Sequence, residues 1–366
     1  MTGRQRLQAI LAGQPTDRLS WTTLVDDLTR SVMPPDVREM PLLDFYRMIG
    51  CDLLQFGDYG LPTPMTPACR MVTPPIEVEH FTRDDGAWVR TIHTEWGDLT
   101  AMWRSGHPVK HAVTCLDELR TLHNLWEGSH YEELPGHAES FAAAEAAIGD
   151  MGVYCPTTEP SPVQQLLEIE MGVAGFYFML EDHRREVEAL LDVMHARRLE
   201  EYRLIARLSP AEVVIPVENT SSTMISPTLY ERYSVPQLRD YVDALHAGGK
   251  LCVLHMCGHL KALMPGIRAT GLDGANAVTP PTVGDVTFDE VLDFFGEDFL
   301  LFGAVLDPTI FQRGSISAEE LGRALDELFT PRLRRARLTL ALAADGLPTS
   351  LDRFLAVRAW MQADSA

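Results

Sequence analysis

Short runs of apolar and β-branched residues recur along the chain, separated by longer stretches in which apolar and polar positions alternate with a helical period. The runs are Leu19–Val25, Asp52–Phe56, Val153–Cys155, Val213–Val217, Leu251–His255, Gly274–Val278, Leu300–Val305 and Leu338–Ala343. Between them, segments such as Arg184–Leu208, Pro227–His246, Leu260–Ala269, Thr287–Phe295 and Ala318–Leu328 place apolar residues three and four apart, as a helix with one buried face requires. A parallel strand covered by helices on both sides reads as a nearly unbroken apolar run. Eight such strand–helix units therefore predict an α/β fold, a closed (β/α)8 TIM barrel. An open doubly wound sheet is the alternative that eight parallel strands also allow.

Two segments depart from the alternation. Thr2 precedes Leu7, Ile10 and Leu11, and Gly13 and Pro15 follow, which predicts a short capped N-terminal helix. Within residues 61–151, AWVRTIHTEW and LTAMW flank Gly97-Asp98 and predict an antiparallel hairpin inserted after the second strand. Trp88, Trp96 and Trp103 fit packing of that hairpin better than a ligand platform. No Gly/Ser-rich or charged linker isolates the insertion, so residues 1–366 read as one barrel domain.

Composition narrows the classes of partner. With 46% hydrophobic and 23% charged residues the chain has ample surface to bury, which argues against disorder. Lys and Arg number 31 against 52 Asp and Glu, a formal charge of −21 that repels nucleic-acid phosphates and anionic membranes. No apolar run reaches the roughly 20 residues of a membrane helix, and the first residues lack a signal-peptide pattern. A cytoplasmic protein without nucleic-acid or membrane partners is expected. Six scattered cysteines read as reduced thiols rather than a disulfide framework.

In such a barrel, catalytic groups sit where strands end at the C-terminal face. The candidates are Asp26 and Asp27, Asp58, Glu159, Glu218 and Asn219, His255 and Cys257, Asp307, and Asp345. The strongest local signal is LCVLHMCGH, in which an apolar strand runs into His255 and Cys257. Side chains two apart on a strand share a side, and imidazole with thiolate is a pair that favours zinc. Two ligands do not make a catalytic zinc site, and Glu218 and Asp345 are the donors at other strand ends that would complete one. The alternative for His255 and Cys257 is a buried imidazole bonded to a carbonyl beside an inert thiol. Glu218 equally suits a general acid or base, while Asp345-Gly346 and Asp307-Pro308 also read as turn elements. His259 reads as the opening of the next helix. No phosphate-binding glycine loop and no G-x-S-x-G is present, so nucleotide and serine-hydrolase readings fall away.

At these residues the chain resembles the uroporphyrinogen decarboxylase superfamily, especially its zinc-dependent, corrinoid-linked methyltransferases. The resemblance runs through RQRLQAILAGQPTDRLSW, FYRMIGCDLLQFG, the segment from ISPTLYERYSVP to AVTPPTVGD, and LFGAVLDPTIFQRGSISAEEL. It implies zinc held by the H-x-C pair and a distant cysteine in a G-C-G-I-P-like segment. Here that segment reads Ala344-Asp345-Gly346-Leu347-Pro348, so Asp345 stands where the cysteine is expected. An oxygen ligand would leave the metal more electrophilic than a second thiolate would.

The resemblance further implies methyl transfer between a small molecule, either a thiol or a methylated donor, and a corrinoid. No D-x-H-x-x-G corrinoid signature occurs, so a separate carrier protein would bring the corrinoid. Authentic uroporphyrinogen decarboxylases carry an M-R-Q-A-G-R-Y segment, and SWTTLVDDLTRSVMPP has nothing like it. The other readings are a metal-free decarboxylase or lyase using Glu218 or Asp345 as acid or base, and a non-catalytic small-molecule-binding homologue.

Overall fold

A parallel barrel forms from the apolar runs in the computed structural model, which describes residues 1–58, 61, 64–311 and 317–363. Its strands are β1 (Ser20–Leu24), β2 (Leu53–Phe56), β3 (Gly152–Cys155), β4 (Val213–Pro216), β5 (Leu251–His255), β6 (Gly274–Asn276), β7 (Leu300–Val305) and β8 (Leu338–Ala343). Parallel ladders join β4 to β5, β5 to β6, β6 to β7, β7 to β8, and β8 back to β1. β2 pairs with β3. Past Pro156, which has no N–H to give a ladder, the chain extends again at Thr157–Thr158 and pairs with β4. At the remaining seam Asp52 N donates to Trp21 O at 2.8 Å and Leu54 N to Thr22 Oγ1 at 3.2 Å. The ring is closed, which decides against the open sheet.

Two apolar layers result. Inside the barrel Leu54, Val153, Cys155, Val213, Ile215, Val253, Leu300 and Phe302 pack together. A larger layer lies between the strands and the surrounding helices. The N-terminal helix Gly3–Leu11, capped reciprocally by Thr2 and Gln5, sends Leu7, Ile10 and Leu11 into the barrel interior and plugs its lower end. Beside it the buried Asp52 carboxylate accepts from Arg6 at 2.5 Å and from Arg18 at 2.8 Å. That ion cluster ties helix to barrel floor.

The segment between β2 and β3 holds more strand than the expected hairpin. Trp88–Thr94 and Gly97–Arg104 do pair antiparallel across Thr94 and Gly97. They are the inner pair of a four-stranded sheet whose outer strands are Glu77–Thr82 and His107–Lys110. Those outer strands escaped the sequence reading because they are largely exposed, so no apolar alternation marks them. Residues 62 and 63 of the expected insertion lie outside the described residues. Among the described residues no helix is long and apolar enough to cross a membrane.

Candidate active site

At the C-terminal ends of the strands a pocket of about 400 Å³ opens, and His255, Cys257 and Asp345 all line it. The ladder explains the placement. His255 is the last residue of β5, its carbonyl accepts from Glu218 N and Asn219 N, and its side chain leaves the sheet toward the mouth. His255 Nδ1 lies 2.6 Å from Asn276 Oδ1, and Asn276 Nδ2 donates to Phe302 O at 2.6 Å. The carbonyl of Phe302 can only accept, so it fixes which way the Asn276 amide faces. Oδ1 then meets the imidazole, Nδ1 carries the proton, and the neutral ring holds a lone pair on Nε2.

Close approach makes this arrangement possible. Gly303 sits at φ +91°, and a Cβ there would fall 2.5 Å from Asn276 Nδ2. The ring of Phe56 lies 5.6 Å from that of His255. Burial pushes the His255 pKa down, opposed by the Asn276 hydrogen bond and by the Asp345 charge. Asp345 stands at the solvent edge of the pocket, where desolvation pushes its carboxyl up and His255 pulls it down. The pair thus favours a neutral imidazole with a carboxylate in reach of its field.

Cys257 is held differently. Its Sγ is 3.7 Å from Asn219 Oδ1, and Asn219 adopts left-handed backbone at φ 45°. Asn219 Nδ2 donates to Glu168 at 3.3 Å, and Gln164 Nε2 donates to the same carboxylate at 2.8 Å. Desolvation, with Glu168 nearby, pushes the Cys257 thiol up, so it stays protonated at neutral pH.

Glu218 does not join them. Its carboxylate is buried and takes Ser161 N at 2.8 Å and Ser161 Oγ at 2.6 Å, away from the residues that line the mouth. Burial raises its pKa to about 7. A carboxyl raised from an ordinary 4.5 stabilises the fold most while protonated, and the contribution is lost as pH rises through about 7. Glu218→Gln, which keeps an acceptor for Ser161, is therefore expected to gain stability over wild type at pH 8 and not at pH 4. The gain is up to roughly 3 kcal/mol, and thermal unfolding at the two pH values checks it. An equal effect at both would contradict the assignment.

The other strand-end candidates have local work. Asp26 accepts from Thr29 N at 2.6 Å and from Gly346 N at 2.8 Å, joining the loops after β1 and β8. Asp27 pairs with Arg30 at 3.3 Å, Asp307 accepts from Thr309 N at 2.8 Å, and Glu159 is exposed. Asp58 faces a different cavity. Asn276 and Glu168, which sequence reasoning missed, orient the groups it found. An amide at a strand end and a carboxylate inside the π-turn Leu166–Glu170 carry no sequence pattern of their own.

Zinc would draw on His255 Nε2, Cys257 Sγ and an Asp345 oxygen. Those residues share one pocket, yet among the described residues no three His, Cys, Asp or Glu side chains are grouped so as to hold a metal ion. The set as it stands does not meet a zinc centre's requirement.

Residues 168–315 match the family model for uroporphyrinogen decarboxylase (URO-D). The stretch carries β4 to β7 and the H-x-C pair. Over that stretch, which is less than half of its length, the chain is similar to the uroporphyrinogen decarboxylase family. A solved structure described as a methyltransferase from Methanosarcina mazei shares the fold, at 16% identity and a TM-score of 0.59 over 100% of both chains. A D-psicose 3-epimerase structure, determined in the presence of D-fructose, aligns with 68% of this chain and 83% of its own. At 11% identity and a TM-score of 0.34 it carries no argument. No protein of curated function matches the sequence. Within this barrel the mouth pocket lies where the fold places reaction centres.

Proposed function

We propose that this protein is a uroporphyrinogen decarboxylase-like methyltransferase, moving a methyl group between a small molecule and a corrinoid carried by a separate protein. The observation that carries the reading is His255 in the barrel mouth, held by Asn276 with Nε2 free to take a proton. The fold shared with the methyltransferase from Methanosarcina mazei supports the same class. The pocket also argues against a polycarboxylated porphyrinogen, since no Lys or Arg is among its described lining residues.

When docked, the corrinoid supplies or accepts the methyl group. The chain's own part is to prepare the small molecule. A thiol seated in the pocket gives its S–H proton to His255 Nε2 and becomes the nucleophile. Asp345 stabilises the imidazolium that forms. Leu54, Phe56 and Val305 line the same space and keep water from the reacting sulfur.

The test follows methylcobalamin, as a stand-in for the loaded carrier, by its absorbance under anaerobic conditions with a series of short-chain thiols. Protein-dependent, saturable loss of the cobalt–methyl bond is expected. No acceleration with any thiol would overturn the reading.

A further inference from the structure

Outside the barrel, between the ends of β2 and β3, the long helix Arg184–Leu208 and the inserted segment, lies a second cavity of about 250 Å³. Among the described residues it shares no lining residue with the mouth pocket. Two acceptors stand on its wall, His137 buried and Asp58 at the exposed rim. His137 is only 5% exposed, and its Nδ1 donates to Thr66 O at 2.8 Å. In the neutral ring Nε2 then presents a lone pair, buried and without a partner among the described residues. Asp58 accepts from Tyr154 Oη at 2.8 Å and Met65 N at 3.1 Å, both neutral donors. Among the described residues no cation pairs with Asp58.

The rest of the wall sets the class of ligand. Glu201 also lines the cavity, its charge balanced by Arg198 at 2.8 Å, and no Lys or Arg is among the described lining residues. Anions are disfavoured on that count. A buried imidazole lone pair and a rim carboxylate that no described Lys or Arg pairs both accept, so the fitting ligand is a cation with several N–H donors. Met65, Ala68 and Ile205 add an apolar side to the space. We propose that this side cavity binds a small primary alkylammonium, its N–H groups donating to Asp58 and His137 Nε2 and its short chain lying on Met65, Ala68 and Ile205.

Isothermal titration of the full chain with n-propylammonium tests this, with tetramethylammonium as the cation that has no N–H to give. Saturable binding of propylammonium is expected, at least tenfold tighter than tetramethylammonium. It should weaken at least tenfold in Asp58→Asn and in His137→Phe, which keeps an aromatic ring against Phe141. Ala68→Met, which fills the cavity from its apolar side and touches neither acceptor, should abolish it and decides the matter if a polar variant does not fold. Absence of saturable binding by wild type, equal affinity for tetramethylammonium, or undiminished binding by the folded variants would overturn the proposal. The outcome is independent of methyl transfer at the barrel mouth.

Discussion

His255→Ala is expected to slow thiol-dependent demethylation of methylcobalamin by about a hundred- to ten-thousand-fold, the range for removing a positioned general base. The loss follows from geometry. Asn276 keeps its bond to Phe302 O in the variant, so the β6 end stays in place while the proton acceptor disappears. Added imidazole should restore part of the rate, because the vacated space is the shape of the lost ring. The pH profile carries a second signature. Burial lowers the His255 pKa, so wild-type activity should hold as pH falls toward the ordinary histidine value of about 6.5 and decline only below it. A variant with near wild-type turnover, or an acid limb centred above that value, would remove His255 from the chemistry.

Asp52→Ala is expected to cost about 3 to 5 kcal/mol of stability, the range for breaking a buried ion pair by deleting one partner. Asp52 is fully buried, Arg6 and Arg18 both donate to it, and the Arg6 side chain is itself only 4% exposed. Without the carboxylate these guanidiniums lose their buried counter-charge, and only Arg6 retains Asp17. The N-terminal helix loses a polar tie to the barrel floor at the same stroke. Urea unfolding reads the effect as a lower midpoint. A change below about 1 kcal/mol, as exposed pairs show, would mean that the cluster contributes little.

The barrel was legible because each strand is buried on both faces, and burial on both faces writes an unbroken apolar run into the sequence. The end of β5 carried its message equally well: His255 and Cys257 stand two apart in sequence, and both reach the mouth. Glu218 shows the limit of that logic. Its position after β4 was read correctly as a strand end, but its direction depends on Ser161, a residue from another loop that gives it two hydrogen bonds.

Asn276 was invisible for a related reason. Its importance lies in contacts with Phe302 O and His255, and in the missing side chain of Gly303, none of which a linear pattern records. Nor could the spacing of His255, Cys257 and Asp345 tell that three residues would reach one pocket without gathering into a metal-holding group. Convergence to a pocket is set by the fold, whereas coordination demands agreement within a few tenths of an ångström.

Thiol activation at the barrel mouth requires a neutral His255 whose Nε2 awaits a proton. Histidine-selective 15N NMR of the wild-type protein near pH 7.5, with His255→Gln to assign the signal, measures this directly. The predicted result is a neutral ring protonated at Nδ1 alone, with the Nε2 signal shifting as it accepts a hydrogen bond from an added thiol substrate. A ring protonated at Nε2 in the free protein, whether as the other tautomer or as imidazolium, would contradict it.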